Sequence, residues 1–268
     1  MKKGLFLLII SSALIIGCSS GEYFVNKDVL YKGINLYKKG ELDDAKDFLK
    51  QAIYKGKGLT TKELMEARYY LANIYYREKN YIDAIVEFEE FLTLFPTSPY
   101  APEVLYKLAD SYMKVSPDPD KDLTYPRKAL ERAEELIAKY PNSIYASKAK
   151  EIIRKVKKME VEHYKDIAYL YEKLGKYYGA ARYYQFILNE YGDYVDKNKI
   201  KLLKAKNLLK LRKQYADEIK DINEKQQEIK RKISKTTKLE EKKVLENRWK
   251  LYEEQKKVLI NRIKKGKE

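Results

Sequence analysis

The sequence predicts an all-α fold, a helical-repeat solenoid of four to five repeats with a C-terminal basic helical hairpin or coiled coil. Three observations carry this. Apolar residues make up 44% and charged residues 36% of the 268 positions, the balance of amphipathic helices with solvated outer faces. Only 7 prolines and 11 glycines interrupt the chain, too few for a many-turned β sandwich. Helix-period segments also come in pairs along the chain, which is how repeats that cannot bury an apolar face alone are written.

The clearest pair spans residues 69–96. Arg68, Leu71, Ala72 and Tyr75 recur at helical spacing, then Tyr81, Ala84, Phe88 and Phe91, and Pro96 ends the run. Small Ala72 and Ala84 stand where two helices approach closely, with large rings beside them. That is the tetratricopeptide (TPR) pattern.

Residues 1–17 read as a lipoprotein signal peptide. Lys2 and Lys3 precede an apolar core from Leu5 to Ile16, too short to span a bilayer comfortably. It ends at Ile15-Ile16-Gly17-Cys18, which resembles a bacterial lipobox, so Cys18 is the expected lipidation site. As the only cysteine it has no disulfide partner. An ordinary secretory signal with an incidental cysteine is the competing reading. Ser19, not aspartate, follows, and the sorting rule for such lipoproteins then implies the outer membrane. Residues 18–28 would be a lipidated tether holding the protein at the periplasmic face.

Repeats one to four are placed within 29–195. Repeat one has Gly40 ending its first helix, and Thr60 with Glu63 forms a capping box for repeat two. After repeat two, Ser98 is expected to cap a helix beginning at Pro99. The phrase returns as Pro141-Asn142-Ser143-Ile144-Tyr145-Ala146. Repeat three carries a proline-containing loop at 115–126, where Asp118, Asp120 and Asp122 alternate without the glycine and glutamate of a calcium loop. One helix is expected from Ser143 to about Glu160, and a separate pair, repeat four, over 164–191. Residues 196–268 read as a partial fifth repeat and a basic antiparallel hairpin. Its seams are Ile219, Ile222, Gln226, Ile229 and Ile233, then Leu245, Trp249, Tyr252, Lys256, Leu259 and Ile263. Two separate helices packed on the repeats are the alternative.

Charge is segregated. The formal net charge is +16, and residues 196–268 hold 25 Lys and Arg against 12 Asp and Glu, whereas residues 18–195 hold 29 against 28. Nucleic acid is not an expected partner of an exported lipoprotein. Lipid head groups or an acidic partner surface are, beside the simpler reading of a solvated face. No catalytic constellation stands out. His163 is the only histidine, and there is no glycine-rich phosphate loop or nucleophile elbow, so neither enzyme activity nor a metal or other cofactor is expected.

In a TPR stack the first helices line a concave face. The register points inward Tyr37 and Lys38, then Tyr69, Asn73, Tyr76 and Arg77, then Tyr106, Asp110 and Met113. Tyrosine gives broad contact at little entropic cost, and a nearby Arg or Lys can meet a peptide carboxylate. An extended segment with aromatic side chains is the expected occupant, with inter-helix packing as the alternative use of these rings.

The lipobox, the repeats, the long insertion and the two Pro-x-Ser-x-Tyr-Ala turns together resemble the BamD family of outer-membrane β-barrel assembly lipoproteins. The likeness covers roughly 18–195, most specifically Tyr140 to Ala146 and the run from Tyr164 through Arg182. It implies a five-repeat scaffold whose N-terminal repeats receive the aromatic C-terminal signal of unfolded outer-membrane proteins. It also implies C-terminal repeats that dock the barrel subunit BamA through a POTRA domain, alongside other Bam lipoproteins. Arg182, with Tyr183 beside it, is nearest to the family's docking arginine, one position early. The basic hairpin departs from the family's ordinary fifth repeat. A TPR lipoprotein serving another envelope machine, a secretin pilotin or a cell-envelope coordinator, is the alternative.

Overall fold

A computed structural model describes residues 20–55, 58–116 and 122–265, with side chains over 27–264. The signal peptide, Cys18, Asp118 and Asp120 lie outside the described residues. All long elements described are helices: α1 Ser20–Lys39, α2 Leu42–Lys50, α3 Thr61–Arg77, α4 Tyr81–Leu94, α5 Ala101–Val115, α6 Thr124–Lys139, α7 Ala146–Lys173, α8 Tyr177–Glu190, α9 Lys197–Lys235 and α10 Leu239–Lys265. A π-helical turn, Gln51–Lys55, extends α2, and a 3₁₀ turn, Gly192–Tyr194, precedes α9. Helix α1 takes in most of the stretch read as a tether. The chain divides into two compact units, residues up to 116 with 128–152, and 117–127 with 153–268.

One backbone device joins the helices of three pairs. Between α1 and α2, Gly40 has φ +88, its N–H donates to Tyr37 O and that of Glu41 donates to Leu36 O. Between α3 and α4, Lys79 has φ 60, donates to Tyr76 O, and Asn80 donates to Tyr75 O. Between α7 and α8, Gly175 has φ +69, donates to Glu172 O, and Lys176 donates to Tyr171 O. This is a left-handed cap with paired bonds back to the last helical carbonyls, repeated three times. Equivalent turns between paired amphipathic helices are the TPR architecture expected from the sequence.

In the first unit, Ala72, Ala84, Phe88 and Phe91 are fully buried, so α3 and α4 pack small against large as their spacing predicts. The capping box is formed: Glu63 N–H donates to Thr60 Oγ1 at 3.3 Å, and Thr60 N–H donates to Glu63 Oε2 at 3.0 Å. Arg68, which recurs at helical spacing with Leu71, Ala72 and Tyr75, is buried as an ion. It pairs with Glu90 at 2.8 Å and Glu87 at 3.5 Å, and the Tyr54 hydroxyl donates to Glu87. Desolvation by burial is the largest influence on the Glu87 carboxyl and pushes it above the usual range. Glu89 of α4 accepts from Tyr112 of α5 at 2.9 Å and from Arg132 of α6 at 2.9 Å, tying three helices together.

Three expectations need correction. Ser98 does not cap a helix at Pro99. Its hydroxyl accepts the N–H of Tyr100 within a turn, and α5 starts at Ala101 with Pro102 in its first turn. The echo behaves alike, with Ser143 Oγ accepting from Tyr145 N–H and α7 starting at Ala146. A short serine turn satisfies its own backbone before the helix begins. Next, the two helices expected on either side of residues 161–163 are one continuous helix, α7. Val161-Glu162-His163 holds no breaker, and Val161 is buried. Likewise the partial fifth repeat and the first hairpin arm are one helix of 39 residues, α9.

The core of the second unit is Val161, Ala168, Ala180, Tyr184, Ile187, Tyr191 and Ile200. Asp196 caps α9, accepting from Asn198 and Lys199 N–H at 2.9 and 3.1 Å. Further along, α9 and α10 pair around a turn at 236–238. Ile222, Gln226, Ile229 and Leu259 are buried on the expected seam, and Gln226 donates to Glu253 at 3.0 Å. The basic hairpin is therefore present, with Trp249 at its margin, 37% exposed.

Candidate functional site

In the first unit the sequence-predicted tyrosines converge on one face of α1, α3 and α5, joined by bonds one repeat apart. The Tyr69 hydroxyl donates to Glu103 Oε2 at 2.9 Å, the Tyr76 hydroxyl to Asp110 Oδ2 at 2.7 Å, and Lys107 to Asn73 Oδ1. Each of these links residues 34 apart, the TPR period, so the period is realised as a ladder of side-chain contacts. Asn73 is fully buried and also donates to Tyr69 O at 2.7 Å. Lys107 turns back to Glu103 at 2.5 Å.

Aromatic contacts fill the spaces between these bonds. Tyr69 stacks on Tyr100 with ring centroids 4.1 Å apart, and Tyr37 meets Tyr70 at 5.0 Å. Tyr37 is 8% exposed and the Arg77 guanidinium lies 4.2 Å from its ring centre. Tyr106 stacks on Tyr145, with Lys148 near both rings. Burial is the main reason the Tyr69 and Tyr76 phenols rise far above their usual range, with Glu103 and Asp110 adding to it. Both therefore stay protonated as donors. Burial alone would raise the Glu103 carboxyl, but Lys107 and the Tyr69 and Tyr145 hydroxyls hold it below its ordinary value.

The six residues predicted for peptide binding are thus brought together, but not as six free side chains. Tyr37 and Asn73 are covered. Tyr69 and Tyr76 are half-buried and held in the ladder, Tyr106 is half-buried against Tyr145, and Arg77 is exposed. What this face offers to solvent is a wall of ring edges topped by the cations Arg77 and Lys148. Lys107, Glu103, Tyr100 and Tyr145 were not among the predicted site residues, although the 34-residue interval would have found Glu103 and Lys107.

A second aromatic surface lies in the other unit. Tyr164, Tyr171, Tyr178, Arg182, Tyr183 and Phe186 line an open cleft of about 490 Å³ between α7 and α8, with Gly179 at its floor. The ring of Tyr171 rests on Gly179, where an added Cβ would lie 2.2 Å from Tyr171 Cδ1. Tyr164 meets Phe186 edge-on at 4.8 Å, and Tyr171 meets Tyr183 at 5.4 Å. Arg182 and Tyr178 are exposed, and among the described residues no acid lines the cleft. The predicted pair Arg182 and Tyr183 therefore sits in one place, a cationic aromatic cleft. Among the described residues no cluster of His, Cys, Asp and Glu could hold a metal, and no helix is long and apolar enough to cross a membrane.

Paired helices and one-repeat contacts define a TPR scaffold, with an aromatic cleft and a cation beside it in the second unit. Comparison with known proteins gives its family. Residues 25–222 match the family model YfiO, described as an outer membrane lipoprotein, and the chain belongs to that family. It is 36% identical over 227 residues to a protein of Aquifex aeolicus (strain VF5) provisionally named outer membrane protein assembly factor BamD, covering 85% of this chain and 74% of that one. Among solved structures, a thermophilic TPR protein of Thermus thermophilus aligns with 69% of this chain and 99% of its own, at 19% identity and a TM-score of 0.35.

Proposed function

We propose that this protein is a periplasmic scaffold of the β-barrel assembly machinery, held to the outer membrane by an acylated Cys18. Two binding tasks are assigned to it. The cleft around Arg182 and Tyr183 docks a BamA-like barrel subunit through a POTRA domain. The face of Tyr37, Tyr69, Asn73, Tyr76, Arg77 and Tyr106 receives the C-terminal segments of unfolded outer-membrane proteins. Other Bam lipoproteins are further partners, and the role needs no cofactor and no catalytic step.

The observation that carries this reading is the 36% identity, over most of the chain, to a protein named as a BamD assembly factor. Geometry supports the division of labour. A cleft with five aromatic rings, one arginine and no acid suits an apolar knob beside a carboxylate. On the first unit, Arg77 and Lys148 cap aromatic rings, which suits a segment ending in an aromatic residue and a free carboxylate.

Both tasks can be tested separately. Arg182→Glu is expected to weaken capture of the purified POTRA segment of a BamA-like protein by about tenfold or more, since reversing an interfacial charge adds repulsion to a lost pair. Arg77→Glu should leave that capture intact and weaken binding of a labelled peptide with a C-terminal phenylalanine, read by fluorescence anisotropy. Unchanged capture by the Arg182 variant would remove the cleft from the docking site. Unchanged peptide affinity in the Arg77 variant would remove the α3 face from the peptide site.

A further inference from the structure

Basic charge in the hairpin is unevenly distributed, and its densest part is not in the hairpin seam. From Lys197 to Ala216 the first half of α9 contains seven lysines and one arginine and no Asp or Glu. Acids return at Asp217, Glu218, Asp221, Glu224 and Glu228, and α10 mixes both signs from Glu240 to Glu254 before a shorter basic end, Lys256 to Lys265. A solubilising helix face interleaves its charges, as the second half of α9 and the first half of α10 do. The first half of α9 does not.

That stretch also leaves an apolar stripe uncovered. Ile200 and Asn207 are buried, Asn207 donating to Glu172 of α7 at 3.2 Å, which fixes the inward face of this segment. On the opposite face, Leu202, Ala205, Leu209 and Ala216 recur at helical spacing and all are exposed, Leu202 at 70% and Leu209 at 62%. Lys199, Lys206 and Lys213 run along one flank one heptad apart, and Lys201 stands on the other. All four are exposed. Among the described residues Lys199, Lys201 and Lys213 enter no salt bridge, whereas inward-leaning Lys204 and Lys210 are engaged by Gln185 and Glu172.

We propose that this face of α9 lies against an anionic phospholipid surface. The leucines would enter the boundary between head groups and acyl chains, and the flanking lysines would meet head-group phosphates. Charge complementarity selects the occupant: a ridge of leucine flanked by cations, with no acid over five helical turns, matches an anionic head-group layer with acyl chains beneath it. A single helix ridge is convex and fits a planar interface without a matching pocket. Membership in an outer membrane lipoprotein family places such a surface beside the chain. The contact is independent of the docking and peptide sites.

The test uses the mature chain, residues 18–268 with Cys18→Ser, so that neither acylation nor the apolar segment Leu5 to Ile16 can hold it to lipid, and sedimentation with vesicles. Vesicles of phosphatidylcholine alone are compared with equal parts phosphatidylcholine and phosphatidylglycerol, at low and high salt. Binding to the mixed vesicles, little to the neutral ones, and release by salt are expected. Each basic residue near an anionic surface contributes roughly a fivefold factor. Combining Lys199→Glu, Lys206→Glu and Lys213→Glu should therefore weaken partitioning by about tenfold or more, with circular dichroism unchanged. Replacing exposed Leu202 and Leu209 by glutamine keeps every charge and should weaken binding as well. The N-terminus is common to all forms, so its contribution cancels in each comparison. Equal sedimentation of the charge-reversed and parent chains would overturn the proposal. So would a parent that fails to bind the mixed vesicles, which would leave an acidic protein surface as the occupant.

Discussion

At Lys79 the backbone holds φ 60 in the position that Gly40 and Gly175 fill in the two equivalent turns. A side chain in this left-handed region costs roughly 1 kcal/mol that glycine avoids. Lys79→Gly is therefore expected to raise stability by about that amount, and Gly40→Ala and Gly175→Ala to lower it similarly, in urea unfolding. Nothing stands within 4 Å of a Cβ added at Gly40 or Gly175, so the effect would be one of backbone alone. Glu63 offers a pH-resolved test. The Thr60 N–H, then Lys27 at 2.9 Å, holds its carboxyl down to about 2. Because the folded value lies below the ordinary 4.5, its contribution is complete above that value and is lost as pH falls through about 2. Glu63→Gln keeps a capping acceptor but removes the charge facing Lys27 and the helix N-terminus; it should cost roughly 1 kcal/mol at neutral pH, and the gap to the parent should close on acidification across that window. The capping box and the Gly40 stop were legible because each needs specific residues at fixed spacing. The left-handed Lys79 was not, since nothing in Glu78-Lys79-Asn80 demands that conformation.

Element boundaries show where pattern reading runs out. Serine turns at Ser98 and Ser143 look like caps in the sequence, because the same hydroxyl that caps a helix also closes a short turn. Helices α7 and α9 each merge two segments read apart. A change of period marks a change of packing partner, whereas only a breaker ends a helix, and none stands at 161–163 or 212–218. The hairpin seam was legible at Ile222, Gln226 and Ile229, where stepping by three and four survives into the structure. Helix α8 rests on α7 through Gly179. Gly179→Ala would press on Tyr171, and ring displacement should outweigh the gain in helix propensity, a net loss of roughly 1 kcal/mol by thermal unfolding. The same variant should also alter docking at the Arg182 cleft, because Tyr171 forms its wall.

For the molecule as a whole, function follows from what each region leaves exposed. The repeat region is nearly neutral and ties Tyr69 and Tyr76 to acids one repeat further on, so its binding surfaces are ring edges and a few cations. Residues 196–268 carry the basic excess. Aromatic abundance in the repeats was legible from the sequence. Which rings are tied up internally was not, because that depends on acids such as Glu103 and Asp110 brought in by the following repeat. Membership in an outer membrane lipoprotein family and identity with a BamD-named protein make assembly of outer-membrane proteins the central claim. Its most direct test is affinity capture of the full-length acylated protein from detergent-solubilised outer membranes of its own source, followed by identification of what comes with it. A BamA-like barrel protein should be recovered, and Arg182→Glu should deplete it. Recovery of a secretin with no BamA-like protein would contradict the account.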